Sequence, residues 1–248
     1  MKKILVGNWK MNLVSLEAES FFASMPINRE ITIGIAAPAT LLRGLRDHAD
    51  RLGILLGAQN MHENKAGPYT GEISAAHLLD AGADFVILGH SERRVLFHET
   101  NDQVEKKVES AVVEGLSFVL CVGETREQDE EGVGDEVVTH QIRSALSSLT
   151  EPNLKGAMVA YEPVWAIGAG QPATADQIEE KHQLIRDELI KLFGEEGKNV
   201  PILYGGSVNA DNLEEILQIP NVDGALVGGA SLDPQTFNEM IEITGESS

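Results

Sequence analysis

Eight short apolar runs constrain this chain more than any other feature. They lie at residues 4–6, 31–36, 54–56, 85–88, 118–122, 158–161, 202–204 and 225–227. Each is rich in Val, Ile and Leu and lacks polar alternation, the composition of a strand buried on both faces. The segments between them carry helix signals. Thr174-Ala175-Asp176-Gln177 is a capping box opening an amphipathic helix that runs to about Phe193. Asp233-Pro234 is an N-cap followed by proline in the first turn, and Asn101 and Asp211 are further helix openers. Eight strand-helix units sharing 248 residues leave about 31 residues each, close to the minimum for a closed eight-stranded β/α barrel. An open doubly wound sheet competes with it, but needs fewer strands and usually a glycine-rich first turn. The turn Gly7-Asn8-Trp9-Lys10 is a poor match to that requirement. No linker, low-complexity stretch or composition break divides the chain, so one domain over residues 1–248 is expected.

Composition excludes some partners. The 19 Lys and Arg stand against 39 Asp and Glu, a net charge of −20. Nucleic acid and anionic membrane surfaces are therefore not expected to bind. An anionic ligand would need local attraction from a few cations and backbone N–H groups. The acidic stretch at 124–136 reads as a solvated loop and helix start. The single cysteine, Cys121, lies within an apolar run and reads as a buried, inert thiol. No disulfide can form within the chain, which suits a reducing compartment. Without an apolar leader or a stretch of membrane-spanning length, a cytoplasmic location is expected.

The unusual polar residues fall where the strands end. Strand one runs into Asn8 and Lys10, strand four into His90 and Ser91, and strand six into Glu162. Strands seven and eight end in Gly205-Gly206-Ser207 and Gly228-Gly229. In a parallel barrel these tips share one face, where such folds carry their chemistry. A lone histidine or glutamate at a strand end is more often structural than catalytic, but five converging tips reverse that balance. Pro163 stops strand six directly after Glu162, and the apolar stretch up to Gly168 reads as a flap able to exclude water. A carboxylate under such a lid suits proton abstraction from carbon. The paired glycines leave backbone N–H groups open to a phosphate, although tight turns would explain each pair singly. His90 precedes Ser91-Glu92-Arg93-Arg94, which reads as a first helical turn. The positive end of that turn should keep the ring neutral and titrating well below its solution value. The remaining histidines, 48, 62, 77, 98, 140 and 182, have no metal-ligand spacing. Gly168-Ala169-Gly170-Gln171-Pro172-Ala173 has the letters of a dinucleotide motif but no strand immediately before it.

These residues together resemble the triosephosphate isomerase family. The resemblance is carried by Asn8-Trp9-Lys10-Met11-Asn12, Gly89-His90-Ser91-Glu92-Arg93-Arg94, Tyr161-Glu162-Pro163-Val164-Trp165-Ala166-Ile167-Gly168, Tyr204-Gly205-Gly206-Ser207 and Val227-Gly228-Gly229-Ala230-Ser231-Leu232. They come in the family's order and span nearly the whole chain. The resemblance implies a single (β/α)8 TIM barrel, eight parallel strands surrounded by helices. It implies interconversion of dihydroxyacetone phosphate and D-glyceraldehyde 3-phosphate through an enediol(ate), without metal or cofactor. Glu162 would move the carbon-bound proton, His90 the proton between oxygens, and Lys10 and Asn8 would stabilise the negative oxygen. Gly168, Ser207, Gly228 and Gly229 would hold the phosphate through backbone N–H groups. Ser91 would hold Glu162 back before the lid closes. The family also implies a homodimer in which the loop at 67–72 reaches the partner's site near Glu92. This chain departs from the family's common Thr and Lys at Ala169 and Gln171, and Pro172 stands at the lid's far hinge. A barrel enzyme acting on a longer sugar phosphate would share strands seven and eight, but should lack Lys10, His90 and the Pro-Val-Trp lid together. A non-catalytic scaffold would be expected to have lost Glu162 or His90.

Overall fold

The structure is a computed structural model, described here for residues 2–166 and 173–247. Its strands are β1 (Ile4–Asn8), β2 (Thr32–Ala36), β3 (Leu55–Ala58), β4 (Phe85–Leu88), β5 (Ser117–Val122), β6 (Ala157–Tyr161), β7 (Ile202–Tyr204) and β8 (Gly224–Val227). Each pairs in parallel with the next, and β8 returns to β1 with Ile4 opposite Gly224, closing the barrel. The eight apolar runs thus become the eight strands, with ends shifted by at most two residues.

Burial on both faces explains why those runs lack polar alternation. Ile4, Val6, Phe85, Ile87, Val119, Cys121, Met158, Leu203 and Leu226 fill the barrel interior. Their neighbours Leu5, Val86, Leu120, Val159 and Ile202 face outward into the layer between strands and helices. One large ring occupies the interior because its neighbours are small. A Cβ on Gly57 would lie 2.3 Å from the Phe85 ring, so that position admits glycine alone.

The outer helices are α1 (Ser15–Ala23), α2 (Leu42–Leu52), α3 (Ala75–Asp80), α4 (Ser91–Leu96), α5 (Asn101–Glu114), α6 (Arg126–Glu130), α7 (Gly134–Leu146), α8 (Ala175–Phe193), α9 (Ala210–Gln218) and α10 (Pro234–Glu246). Thr174 caps α8 as the capping box requires: its N–H donates to Gln177 Oε1 at 2.9 Å, and its hydroxyl accepts from Gln177 N–H at 3.3 Å. Asp233 caps α10 by accepting the Thr236 N–H at 2.8 Å. Two openers move. Thr100 caps α5 and Asn209 caps α9, one and two residues before the expected Asn101 and Asp211. Each true cap has a side-chain acceptor three residues on, Gln103 and Asn212, and this reciprocal pair decides where the helix begins.

The acidic stretch needs a correction. Most of it is solvated, but Glu124 is fully buried. It lies two residues beyond β5, and its Oε1 accepts the Tyr161 hydroxyl at 2.8 Å and the Trp165 indole N–H at 3.0 Å. Burial, with Glu124 alongside, pushes the Tyr161 phenol far above its ordinary value.

Candidate active site

Parallel closure brings the strand C-termini to one mouth, and a cavity of about 370 Å³ opens there. Asn8, Lys10, His90, Glu162, Ser207, Gly228 and Gly229 all line it. Gly168 lies outside the described residues, as do Ala169, Gln171 and Pro172 of the expected lid. A larger hollow of about 910 Å³ opens at the opposite mouth around Phe85 and Lys155, and none of the predicted site residues reaches it.

Glu162 sits one residue beyond β6 and is 2 % exposed. Its N–H donates to Val122 O at 2.8 Å, which extends the β5–β6 ladder to this position. The β5 chain must come close for that: a Cβ on Gly123 would lie 1.8 Å from Glu162 O. The carboxylate is held on two sides. Oε2 accepts the Ser91 backbone N–H at 2.9 Å, and Oε1 lies 3.0 Å from His90 Nε2. The Ser91 contact comes from the main chain at the start of α4, not from the hydroxyl.

His90 is the residue before α4, and its Nδ1 accepts the Glu92 N–H at 3.2 Å. An N–H donated to Nδ1 requires a lone pair there, so Nε2 carries the ring proton and directs it at Glu162. The charge preferences of the pair are coupled. Burial lowers the His90 pKa, but the Glu162 charge and hydrogen bond, helped by Glu92, outweigh it, and the ring is raised above its ordinary value. Burial likewise raises Glu162, but His90, the Ser91 amide and Lys10 hold it below the usual carboxylate value. The expected depression of His90 is therefore reversed in this arrangement, because the turn places a carboxylate as well as amides against the ring.

Lys10 adopts φ of 52°, the left-handed region that a side-chain-bearing residue enters only when its surroundings hold it. Its N–H donates to Asn8 Oδ1 at 3.0 Å, and its carbonyl accepts from Gln59 Nε2 at 2.8 Å. The same Gln59 amide also reaches Ala36 O at 3.0 Å. The Lys10 ammonium pairs with Glu92 Oε1 at 2.5 Å. Asn8 thus holds the turn at its start, and Glu92 holds the cation at its tip.

Sequence reasoning missed Gln59 and Glu124. Gln59 follows β3 directly, the signal that singled out Glu162, and Glu124 lies two residues beyond β5, where the surrounding acidic stretch masked it. Among the described residues, no group of three or more His, Cys, Asp or Glu side chains is placed to hold a metal ion.

A closed parallel barrel with an imidazole, a carboxylate and an ammonium gathered at its C-terminal mouth is the architecture of the β/α-barrel enzymes. Residues 3–244 match the family model described as triosephosphate isomerase. The triosephosphate isomerase of Chlamydia trachomatis serovar D is 44 % identical, covering 97 % of this chain and 89 % of that protein. The Carboxydothermus hydrogenoformans enzyme of the same name is 42 % identical, covering 97 % of this chain and 98 % of its own length. The crystal structure of triosephosphate isomerase from Bartonella henselae superposes with a TM-score of 0.87 at 38 % identity, covering 98 % of this chain and 99 % of that one. The chain belongs to the triosephosphate isomerase family and is an isomerase.

Proposed function

We propose that the protein interconverts dihydroxyacetone phosphate and D-glyceraldehyde 3-phosphate by proton transfer through an enediol(ate), in glycolysis and gluconeogenesis. The observation that carries the reading is the buried Glu162 carboxylate meeting His90 Nε2 at 3.0 Å on the wall of the cavity that Lys10 also lines. Triosephosphate isomerases are themselves the reference case for a glutamate base paired with a histidine electrophile, so these roles follow from the family resemblance. Glu162 leaves the Ser91 amide and His90 to take the proton from one substrate carbon and return it to the next. His90 Nε2–H, freed from the carboxylate, donates to the substrate carbonyl and passes protons between the two oxygens. Lys10, with Asn8 fixing its turn, stabilises the negative oxygen. Ser207, Gly228 and Gly229, together with Gly168, bind the phosphate through backbone N–H groups. No step needs a metal or cofactor, since the moving groups are protons alone.

Residues 1–248 act in this reading as one catalytic domain. The working form is a homodimer in the cytoplasm. Support for the dimer is a set of solvent-facing apolar side chains: Met11 at 95 % exposure, Leu16, Leu96 and Phe97, with Tyr69 in the loop at 67–72. Large apolar groups left in water are what a subunit contact would cover. Among the described residues, no helix is long and apolar enough to cross a membrane.

A coupled assay started from either triose phosphate tests the reaction. Turnover in both directions without added metal is expected. A purified, folded protein that fails to turn over either triose would remove the proposal.

A further inference from the structure

Ser231 has no part in the chemistry proposed above and does not line the cavity, whose wall on this side ends at Ala230. It is nevertheless fully buried at the turn after β8. Its hydroxyl donates to Gly228 O at 2.7 Å, and its own N–H donates to the same oxygen at 2.9 Å. Its carbonyl accepts the Trp9 indole N–H at 3.1 Å.

The consequence lies in the Gly228–Gly229 peptide. Across a trans peptide the C=O and N–H point in opposite directions, and none of the described peptides is cis. Two donors from Ser231 draw the Gly228 oxygen away from the cavity, so the Gly229 N–H is aimed toward it. Gly228 has no side chain to limit rotation of that peptide, and the restraint must come from elsewhere. The fit around Ser231 is close. A Cβ on Gly7 would lie 3.0 Å from Ser231 Cβ and 3.2 Å from its hydroxyl oxygen.

The Trp9 contact extends the effect across the mouth. Trp9 is fully buried, its backbone N–H donates to Ala36 O at 3.0 Å, and its ring packs edge-on against Phe21 at 5.0 Å. It immediately precedes Lys10. A Cβ on Gly228 would lie 3.4 Å from Lys10 Cε, so the lysine stem already lies against the same turn.

We propose that Ser231 is a positioning residue for anion binding. It fixes the Gly228–Gly229 peptide with its N–H toward the ligand, and through Trp9 it sets the distance between that turn and Lys10. The inference rests on the proposed phosphate-bearing substrate and deepens it.

The test is the affinity of the full-length protein for inorganic phosphate, read by calorimetry, beside steady-state kinetics. Ser231→Ala is expected to weaken phosphate binding about three- to tenfold, the range set by the net worth of one hydrogen bond. The kinetic loss is expected in KM rather than in kcat, a split that general loosening of the fold would not produce. Ser231→Cys retains a donor, weaker and slightly larger than the hydroxyl, and should fall between wild type and Ser231→Ala. If Ser231→Ala does not fold, Ser231→Cys and Trp9→Phe carry the measurement. Wild-type phosphate affinity in the folded variants overturns the inference. Because phosphate binding is read without turnover, a wild-type protein that binds phosphate but fails to isomerise trioses removes the proposed reaction and not this inference. A wild-type protein that does not bind phosphate overturns this inference, and the coupled assay alone decides the reaction.

Discussion

Glu162 and His90 each change the other's charge preference, and that coupling determines what either can do. In the arrangement described, the carboxylate raises the imidazole and the imidazole lowers the carboxylate. Once Glu162 turns to a substrate, burial and the Glu92 N–H at Nδ1 remain and both favour the neutral ring. Glu162→Gln isolates this effect. Removing the charge should lower the His90 pKa relative to wild type, measured by nitrogen NMR of labelled histidine. An unchanged or higher value would mean that the pair is not coupled as its geometry indicates. The same variant should lose roughly three or more decades of kcat while keeping substrate affinity within about an order of magnitude, as for removal of a positioned general base. Retention of a tenth of wild-type turnover would eliminate Glu162 as the base.

At the scale of the element, α8 starts just after the lid segment and carries a buried histidine on its inner face. His182 Nδ1 lies 3.0 Å from Asn221 O, and among the described residues the buried Nε2 has no hydrogen-bond partner. The ring contacts Tyr161 and Tyr204, and the Arg186 cation acts on it. Burial drives its pKa from 6.5 down to about 4, with the Asn221 carbonyl opposing and Arg186 assisting. The folded state therefore refuses a proton that the unfolded chain accepts. Stability from this group is complete above the unfolded value of 6.5 and is lost as pH falls toward about 4, where the folded form also charges. The loss over that window is on the order of 3 kcal/mol. His182→Asn, which keeps a donor toward Asn221, should flatten the decline between pH 7 and 4 in urea unfolding curves. An identical decline in both proteins would assign the acid sensitivity to carboxylates elsewhere.

At the scale of the molecule, two opposed features meet in the proposed dimer. Its apolar contacts favour association, and each protomer brings a net charge of −20. Like-charged subunits repel, and salt screens that repulsion over a Debye length of about 10 Å at 0.1 M. The dimer should therefore tighten as salt rises from about 0.05 to about 0.5 M, the reverse of an interface held by ion pairs. Sedimentation equilibrium across that range measures it. Weaker association at high salt would mean that complementary charges, not apolar side chains, dominate the contact. Full specific activity in a monomeric fraction would contradict the dimer as the working form.

The eight runs were legible as strands because a barrel strand is buried on both faces, so its composition alone reports its environment. Helix starts were legible to within two residues, since a cap is a contact between residues three apart. Strand-end placement also singled out Asn8, Lys10, His90 and Glu162, because a parallel barrel gathers those ends whatever the helices between them contain. Other features depend on residues far apart in the chain. The Ser91 amide reaches Glu162 across 71 positions, and Lys10 meets Glu92 across 82. The direction of the His90 shift, the burial of Glu124 within an acidic run and the hold of Ser231 on Gly228 follow from such packing or from local turn geometry that composition does not encode. A strand's burial is written in its own residues, whereas a charge's environment is supplied by whichever elements closure brings beside it.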